Sequence, residues 1–264
     1  MSFVLVFIFG AVIGSFLNVC IYRLPIGKSI AWPNSYCPSC GRPIRFFDNI
    51  PVLSYILLMG KCRACHARIS LRYIIVELLT PGIGILLLNF FSLTPDFFIY
   101  WLLACLLIVI TFIDLEYQLI PDVICLPGVV IGLTLSSFIH SGGVGFSTGP
   151  FIDSSIGILA GSGSMYLMGF AGKLMFPQKA KAAGGAVGFG DVKLMAMIGA
   201  FIGWKLVLLT FFVTPFFGAF YGVYIALRKK QDVIPYGPFL SIGALISLLY
   251  GHRILEWLFP YSRI

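Results

Sequence analysis

Charged residues are scarce in this chain. Only 11% of its 264 residues are Asp, Glu, Lys or Arg, acids number ten, and 59% are hydrophobic, with a mean hydropathy of +0.99. A soluble globular domain carries about 25% charged residues, so this composition excludes that class. The sequence therefore predicts a polytopic membrane protein, in which an acid inside or beside a span is treated as a functional candidate.

Three common signals are also missing. The first apolar run, from about Phe3 to Tyr22, has no basic residues before it and no small-residue cleavage site before Arg23, so we expect a retained helix rather than a cleaved signal peptide. No internal repeat is visible, which disfavours a transporter built from inverted repeats. No glycine-rich nucleotide loop follows a strand either.

Eight apolar stretches are long enough to approach or cross a hydrocarbon core of roughly 30 Å. We therefore predict an all-α polytopic membrane protein with about eight transmembrane helices. The stretches cover approximately residues 3–22, 73–93, 97–113, 119–139, 152–175, 187–204, 206–227 and 236–258.

Basic residues indicate the orientation. If the eight spans alternate, fifteen of the eighteen Lys and Arg residues lie on one side, and eight of these fall between Arg23 and Arg72. Because basic loops stay in the cytoplasm, the N-terminus is expected outside the cytoplasm. The net charge of +8 then reflects topology and attraction to anionic membrane lipids, and we expect no nucleic-acid binding.

Four of the seven cysteines form two C-x-x-C pairs, Cys37 with Cys40 and Cys62 with Cys65, in the loop between the first two spans. A loop of this size needs a staple to fold, and four thiolates make a closed tetrahedral site for structural Zn²⁺. Disulfides or a redox pair are the alternative, but they seldom persist in a reducing compartment. We predict a zinc-ribbon-like cytoplasmic insert.

This reading divides the chain into three parts. Residues 1–22 form the first transmembrane helix, residues 23–72 form the zinc-binding insert with its four cysteines, and residues 73–264 form a seven-helix membrane domain. Under the alternating topology, the acids at the ends of the third, fourth and sixth spans of the chain all lie on the cytoplasmic side.

Two acids at span ends suggest a catalytic pair. Asp191 follows Gly188-Phe189-Gly190 at the start of the sixth span, and Asp114 ends the third. A helix N-cap is the simpler explanation for Asp191, but its flanking glycines allow close approach of substrate. Asp114 opposes the dipole of its own helix, so its position needs an explanation other than helix capping. Two carboxylates that share one proton can activate water for peptide hydrolysis.

Other charged residues have less certain roles. Asp122, directly after Pro121 at the start of the fourth span, fits helix-start chemistry and a structural or supporting role. Lys193 is either a snorkelling anchor or a charge that tunes Asp191. Glu77, about one turn inside the second span, either pairs with a basic residue of the insert or contacts a substrate or cofactor.

These residues together resemble the bacterial type IV prepilin peptidases, also called leader peptidase/N-methyltransferases, which are intramembrane aspartyl proteases of the Gly-x-Gly-Asp type. The resemblance covers essentially the whole chain. It rests on residues 14–19 with 23–25, the two C-x-x-C pairs, residues 48–51, Arg72-Tyr73 with Glu77, residues 113–122, and residues 188–193.

The resemblance implies an enzyme of the bacterial inner membrane, with Asp114 and Asp191 as catalytic residues near the cytoplasmic face. Its substrates would be type IV prepilins and pseudopilins of pilus assembly or type II secretion, which lose a basic leader. It also implies N-methylation of the new N-terminal residue with S-adenosylmethionine as donor. The insert and the adjoining span ends are the expected cofactor region, with Glu77 and Gly60 as candidates.

A zinc-dependent membrane sensor is a further alternative, with the insert as an interaction module. It predicts that the cysteines are essential and that the aspartates tolerate replacement by alanine. No pattern in the sequence indicates an oligomeric state.

Overall fold

The structure, a computed structural model, describes residues 1–140, 143–144, 147–175, 188–227 and 235–258. Within these ranges the regular structure is helical, apart from one hairpin with two-residue strands. The chain divides into two compact units, Met1–Leu93 and Thr94–Ile264. The predicted all-α class is therefore confirmed.

The first unit is built on a pair of apolar helices, α1 (Ser2–Arg23) and α3 (Leu71–Phe91). Two glycines of α1 allow their backbones to approach. A Cβ atom at Gly10 would lie 2.6 Å from Pro81 Cα, and one at Gly14 would lie 2.9 Å from Glu77 Cα. Small residues serve this purpose in membrane helix pairs, and here they bring Glu77 against α1.

The insert between these helices contains one short helix, α2, and two cysteine-bearing loops. Each loop is closed by a single antiparallel bridge, Tyr36 with Pro43 and Lys61 with Arg68. This is the zinc-ribbon-like arrangement that the cysteine spacing predicts. The regular elements are 3₁₀ turns at Leu24–Ile26 and Phe46–Asn49, and α2 at Leu53–Leu57.

The second unit is organised around its longest described helix, α7 (Phe189–Leu227), which contacts the four other helices described in this unit. Its first half contributes fully buried side chains to the core, including Leu194, Met195 and Ile198. A short hairpin of β1 and β2 follows α5. The elements are α4 (Pro95–Tyr117), α5 (Asp122–Phe138), β1 (Ile139–His140), β2 (Gly143–Val144), α6 (Thr148–Met175), α7 (Phe189–Leu227) and α8 (Gly237–Leu258).

Glycines also bring α6 and α7 together. A Cβ atom at Gly157 would overlap the backbone of Gly199, and one at Gly161 would overlap the backbone of Met195. The positions on each helix are four residues apart, which is the small-xxx-small spacing of close membrane crossings. The first half of α7 is thereby fixed to α6.

Helix α7 is broken at Gly203, where φ is 76° and ψ is 175°. The break separates residues 189–202 from 204–227, which agrees with the boundary predicted between the sixth and seventh spans. Five described helices are long and apolar enough to cross a membrane: α1, α3, α4, α7 and α8. The remaining three of the eight spans predicted from the sequence correspond to the 17-residue α5, to α6 and to the part of α7 after Gly203.

The predicted orientation depends partly on basic residues outside the described ranges. It therefore stays a prediction. These residues are Lys179, Lys181, Arg228, Lys229, Lys230 and Arg263.

Candidate active site and metal centre

Asp114 lies buried, 6% exposed, in the last turn of α4. Its carboxylate Oδ2 accepts a hydrogen bond of 2.8 Å from the backbone N–H of Gly237, the first residue of α8. An acid at a helix N-terminus is favourably placed. The carboxylate that opposes the dipole of its own helix therefore complements the dipole of another.

Gly237 is required for this contact. A Cβ atom at this position would lie 2.8 Å from Asp114 Oδ2, too close for any other residue without movement. Helix α4 ends just beyond, where Gln118 adopts a left-handed conformation and its N–H donates to the Asp114 carbonyl. The main chain and the side chain of Asp114 are thus both held.

Asp191 occupies the first turn of α7, and its two flanking glycines have separate roles. A Cβ atom at Gly188 would lie 3.0 Å from Asp191 Oδ2, and one at Gly190 would lie 2.8 Å from Ile120 Cβ. The first glycine leaves space beside the carboxylate. The second lets the start of α7 approach the segment that leads into α5.

The two carboxylates are close enough to interact electrostatically. Tyr236, one residue before Gly237, also lies within electrostatic range of Asp191. The fold therefore brings the ends of α4, α7 and α8 to one place. Two carboxylates that lie close together can share one proton.

Asp122 and Lys193 form an ion pair. Lys193 Nζ lies 2.7 Å from both carboxylate oxygens of Asp122 and 5.9 Å from the centre of the Phe189 ring. The side chains are 55% and 29% exposed, so solvent screens the pair and its contribution to stability is at most about 1 kcal/mol. It links the first turns of α5 and α7 beside the dyad.

Sequence reasoning missed Tyr236 and Gly237. The available signal was Tyr236-Gly237-Pro238, since a proline at the second helical position marks a helix start. Nothing in the sequence connects that helix start with Asp114, which is 123 residues away.

The four cysteines of the insert form a cluster whose sulfurs all lie within 4.8 Å of one another. Cys37 Sγ and Cys65 Sγ are 3.8 Å apart, and a tetrahedral site with Zn–S bonds of about 2.3 Å requires sulfurs about 3.8 Å apart. Backbone hydrogen bonds from Cys65 and Ala64 lower the pKa of the Cys62 thiol to about 7, whereas burial and the neighbouring sulfurs raise the pKa of Cys65 to about 11, so Cys62 is the first of the two to supply the thiolate that a metal needs. These residues fit Zn²⁺.

A cavity of about 580 Å³ lies in the first unit, between the insert and the ends of α1 and α3. This volume is within the range of small-molecule sites. Glu77 lines it and is 7% exposed. Its Oε2 accepts a hydrogen bond of 2.7 Å from the Val52 N–H of the insert.

Gly60 does not line this cavity. It has a φ of 65°, and a Cβ atom there would lie 3.0 Å from the Tyr55 hydroxyl. Its carbonyl accepts a hydrogen bond from Ile69 N–H. Backbone geometry therefore accounts for this glycine.

Comparison with known proteins agrees with both units. Residues 8–91 match the bacterial peptidase A24 N-terminal domain, and residues 101–223 match the type IV leader peptidase family. The chain is 35% identical over 285 residues to a prepilin leader peptidase/N-methyltransferase of Aeromonas salmonicida, covering 97% of this chain and 93% of that protein. The chain belongs to the type IV leader peptidase family.

Two further relatives carry the same description. The protein of Pseudomonas putida is 33% identical, over 94% of this chain and 90% of its own length. That of Pseudomonas aeruginosa is 34% identical, over 93% and 89%. No solved structure matches the chain. At the level of the family, the predicted enzyme class, a leader peptidase with an N-methyltransferase activity, is confirmed.

Proposed function

We propose that this leader peptidase cleaves the leader of type IV prepilins and pseudopilins with Asp114 and Asp191, at the cytoplasmic face of the bacterial inner membrane. The observation that supports the proposal is that the buried carboxylate of Asp114 on α4 and the half-buried carboxylate of Asp191 on α7 lie within electrostatic range of each other. The orientation predicted from the basic residues supports the choice of face.

The chemistry divides between the two acids. The ionised carboxylate takes a proton from water, and the resulting hydroxide attacks the scissile carbonyl carbon. The protonated carboxylic acid hydrogen-bonds to the carbonyl oxygen as the tetrahedral intermediate forms. When the C–N bond breaks, the leaving amine takes up the proton that the first carboxylate removed from water, and the two acids again hold one proton between them.

Binding of a basic leader needs a source of energy other than acids at the surface. Asp48 is held by Arg63 through contacts of 2.7–3.0 Å, and this guanidinium lowers the pKa of the Asp48 carboxyl. Asp122 is held by Lys193. Because both of these acids already have cationic partners, we infer that packing of the substrate's apolar helix supplies most of the affinity, with Glu116 as the other candidate acid.

The test of the dyad is leader removal in membranes, measured by mass spectrometry. We expect Asp114→Asn and Asp191→Asn each to lower the cleavage rate by about 10²- to 10⁴-fold, the usual contribution of a general acid or base. Asp96→Asn, in the first turn of the same helix as Asp114, is the matched control and should cleave normally. Near wild-type cleavage by either dyad variant would refute the assignment. Normal function of both, with loss of function in cysteine variants, would favour the sensor.

We also propose that the N-methyltransferase activity uses the cavity of the first unit, with S-adenosylmethionine as the methyl donor. When bound, this donor supplies an activated methyl group to the amine nitrogen of the new N-terminus. Glu77 is a buried carboxylate on the cavity wall, suited to hold a cationic group or accept the proton that the amine loses. The four-cysteine cluster, with Zn²⁺, would maintain the opposite wall.

A substitution at Glu77 tests this second proposal separately from the first. Glu77→Gln should lower methylation of a pre-cleaved substrate by about tenfold or more, since a hydrogen bond to a charged group contributes about 1.5–3 kcal/mol. Leader cleavage should be unchanged. Glu256→Gln, at an exposed position on α8, is the control. Unchanged methylation, or equal loss of both activities, would count against the assignment.

A further inference from the structure

The short helix α2 of the insert has two chemically different faces. Leu53, Ile56 and Leu57 have the i, i+3, i+4 spacing that places them on one face, and they are 49%, 59% and 70% exposed. Ser54 and Tyr55, on the other face, line the cavity. The apolar face of α2 is thus turned away from the interior of the unit.

More exposed apolar side chains lie in the segments of the chain on either side of α2. Phe46 and Phe47 are 82% and 76% exposed, and their rings form an edge-to-face pair with centroids 6.0 Å apart. They belong to the 3₁₀ turn that contacts α2. Met59, just after α2, is 84% exposed. These six residues, Phe46, Phe47, Leu53, Ile56, Leu57 and Met59, are called the apolar patch below.

The apolar patch lies close to the start of a membrane span. The carbonyl of Gly60 accepts a hydrogen bond of 2.7 Å from Ile69 N–H, and the backbones of Lys61 and Arg68 form an antiparallel β-bridge. Helix α3 begins at Leu71, only two residues after Ile69. The chain next to Met59 is therefore fixed to the segment that enters the bilayer.

Basic residues accompany the patch. Lys61 follows Met59 by two positions and does not line the cavity, whereas Arg45, which directly precedes Phe46, does line it. From Arg23 to Arg72 the insert has eight basic residues and a single acid, Asp48, which is already paired with Arg63. Aromatic and aliphatic side chains flanked by Lys and Arg are the composition of surfaces that lie in a bilayer interface. Their charge complements anionic headgroups.

We propose that the apolar patch inserts into the headgroup region of an anionic bilayer. The insert then lies on the membrane, and the opposite face of α2 bounds the cavity. Surface aromatic clusters also serve as docking sites for proteins, but the continuity with α3 and the basic flanks favour lipid.

Photo-crosslinking in proteoliposomes tests this proposal. Full-length enzyme would carry p-benzoylphenylalanine in place of Phe47 or of Leu57, with retained leader cleavage as the check on folding. The matched control places the same side chain at Asn49, which belongs to the same 3₁₀ turn as Phe47 but lines the cavity. Adducts are identified by mass spectrometry in vesicles of phosphatidylcholine with or without phosphatidylglycerol.

We expect phospholipid adducts at positions 47 and 57 that exceed those at position 49 severalfold and increase with phosphatidylglycerol. Adducts with protein, either a second copy or another part of this chain, would overturn the proposal. So would the absence of adducts at 47 and 57, or yields equal to that at 49. A yield that does not change with phosphatidylglycerol would overturn the part of the proposal that requires anionic lipid.

Discussion

At the scale of single residues, the contact between Gly237 and Asp114 is the feature on which the proposed dyad depends most. The N–H of Gly237 donates to a buried carboxylate, and the lack of a side chain allows the 2.8 Å approach. The glycine does not need an unusual backbone conformation here. It provides space, and the start of α8 provides the hydrogen-bond donor.

We therefore expect Gly237→Ala to lower the rate of leader cleavage by about ten- to hundredfold, since overpacking a close contact costs about 1–3 kcal/mol and displaces Asp114. Substrate KM should change little, because the substitution acts on the carboxylate. Gly163→Ala is the control, as a Cβ atom there meets nothing within 4 Å. If kcat for Gly237→Ala matches that of Gly163→Ala, then Gly237 does not position the acid.

At the level of single residues, the sequence predicts local geometry where a short motif fixes the spacing of its side chains. The two C-x-x-C pairs and the Gly-Phe-Gly-Asp motif are of this kind, because spacing alone implies close sulfurs or an accessible acid. The partners of Glu77 and Asp114 are backbone amides at Val52 and Gly237. Any residue except proline carries such an amide, so the sequence has no signal for these contacts.

At the scale of elements, the break at Gly203 decides how the longest apolar stretch is divided. Its φ of 76° and ψ of 175° lie in a region that is essentially restricted to glycine. Length and hydropathy were sufficient to predict two spans between residues 187 and 227. The backbone conformation at the junction depends on packing against α6, where Asp153 Oδ2 would lie 3.2 Å from a Cβ atom at 203, and so it was not predictable.

Gly203→Ala should destabilise the protein by about 1–3 kcal/mol, the strain of a non-glycine residue in this region. The check is the midpoint of thermal unfolding in detergent micelles, compared with Gly163→Ala. An unchanged midpoint would mean that the junction adopts another conformation at no cost. Leader cleavage, measured well below the midpoint temperature, should be retained, because Gly203 lies twelve positions after Asp191.

At the scale of the whole molecule, the proposed activities belong to different compact units, Met1–Leu93 and Thr94–Ile264. The cavity and the cysteine cluster are in the first, and both aspartates are in the second. The sequence-based division into 1–22, 23–72 and 73–264 assigns the zinc and the protease to the same parts of the chain. Whether these three parts are separate domains remains a proposal. The division also separates α1 from α3, which pack together in the structure.

Removal of the metal should therefore affect the two activities unequally. Structural Zn²⁺ contributes about 10–16 kcal/mol to the folding of small zinc-binding peptides, so its loss should unfold the insert. We expect Cys62→Ser to lose bound zinc, measured by elemental analysis of the purified protein, and to lose most methylation. Leader cleavage should fall much less. Cys125→Ser, at a buried cysteine outside the cluster, should retain the metal, and equal loss of both activities after zinc removal would contradict the assignment.

Because Asp114 is held by α8 and Asp191 by α7, we expect the enzyme to respond to its bilayer. The acids are held by different helices, so a small tilt of one against the other alters their separation while every helix remains intact. Changes in bilayer thickness cause such tilts. Activity should accordingly vary with acyl-chain length, recover when the original thickness is restored, and decline in short-chain detergents well before the helical content does.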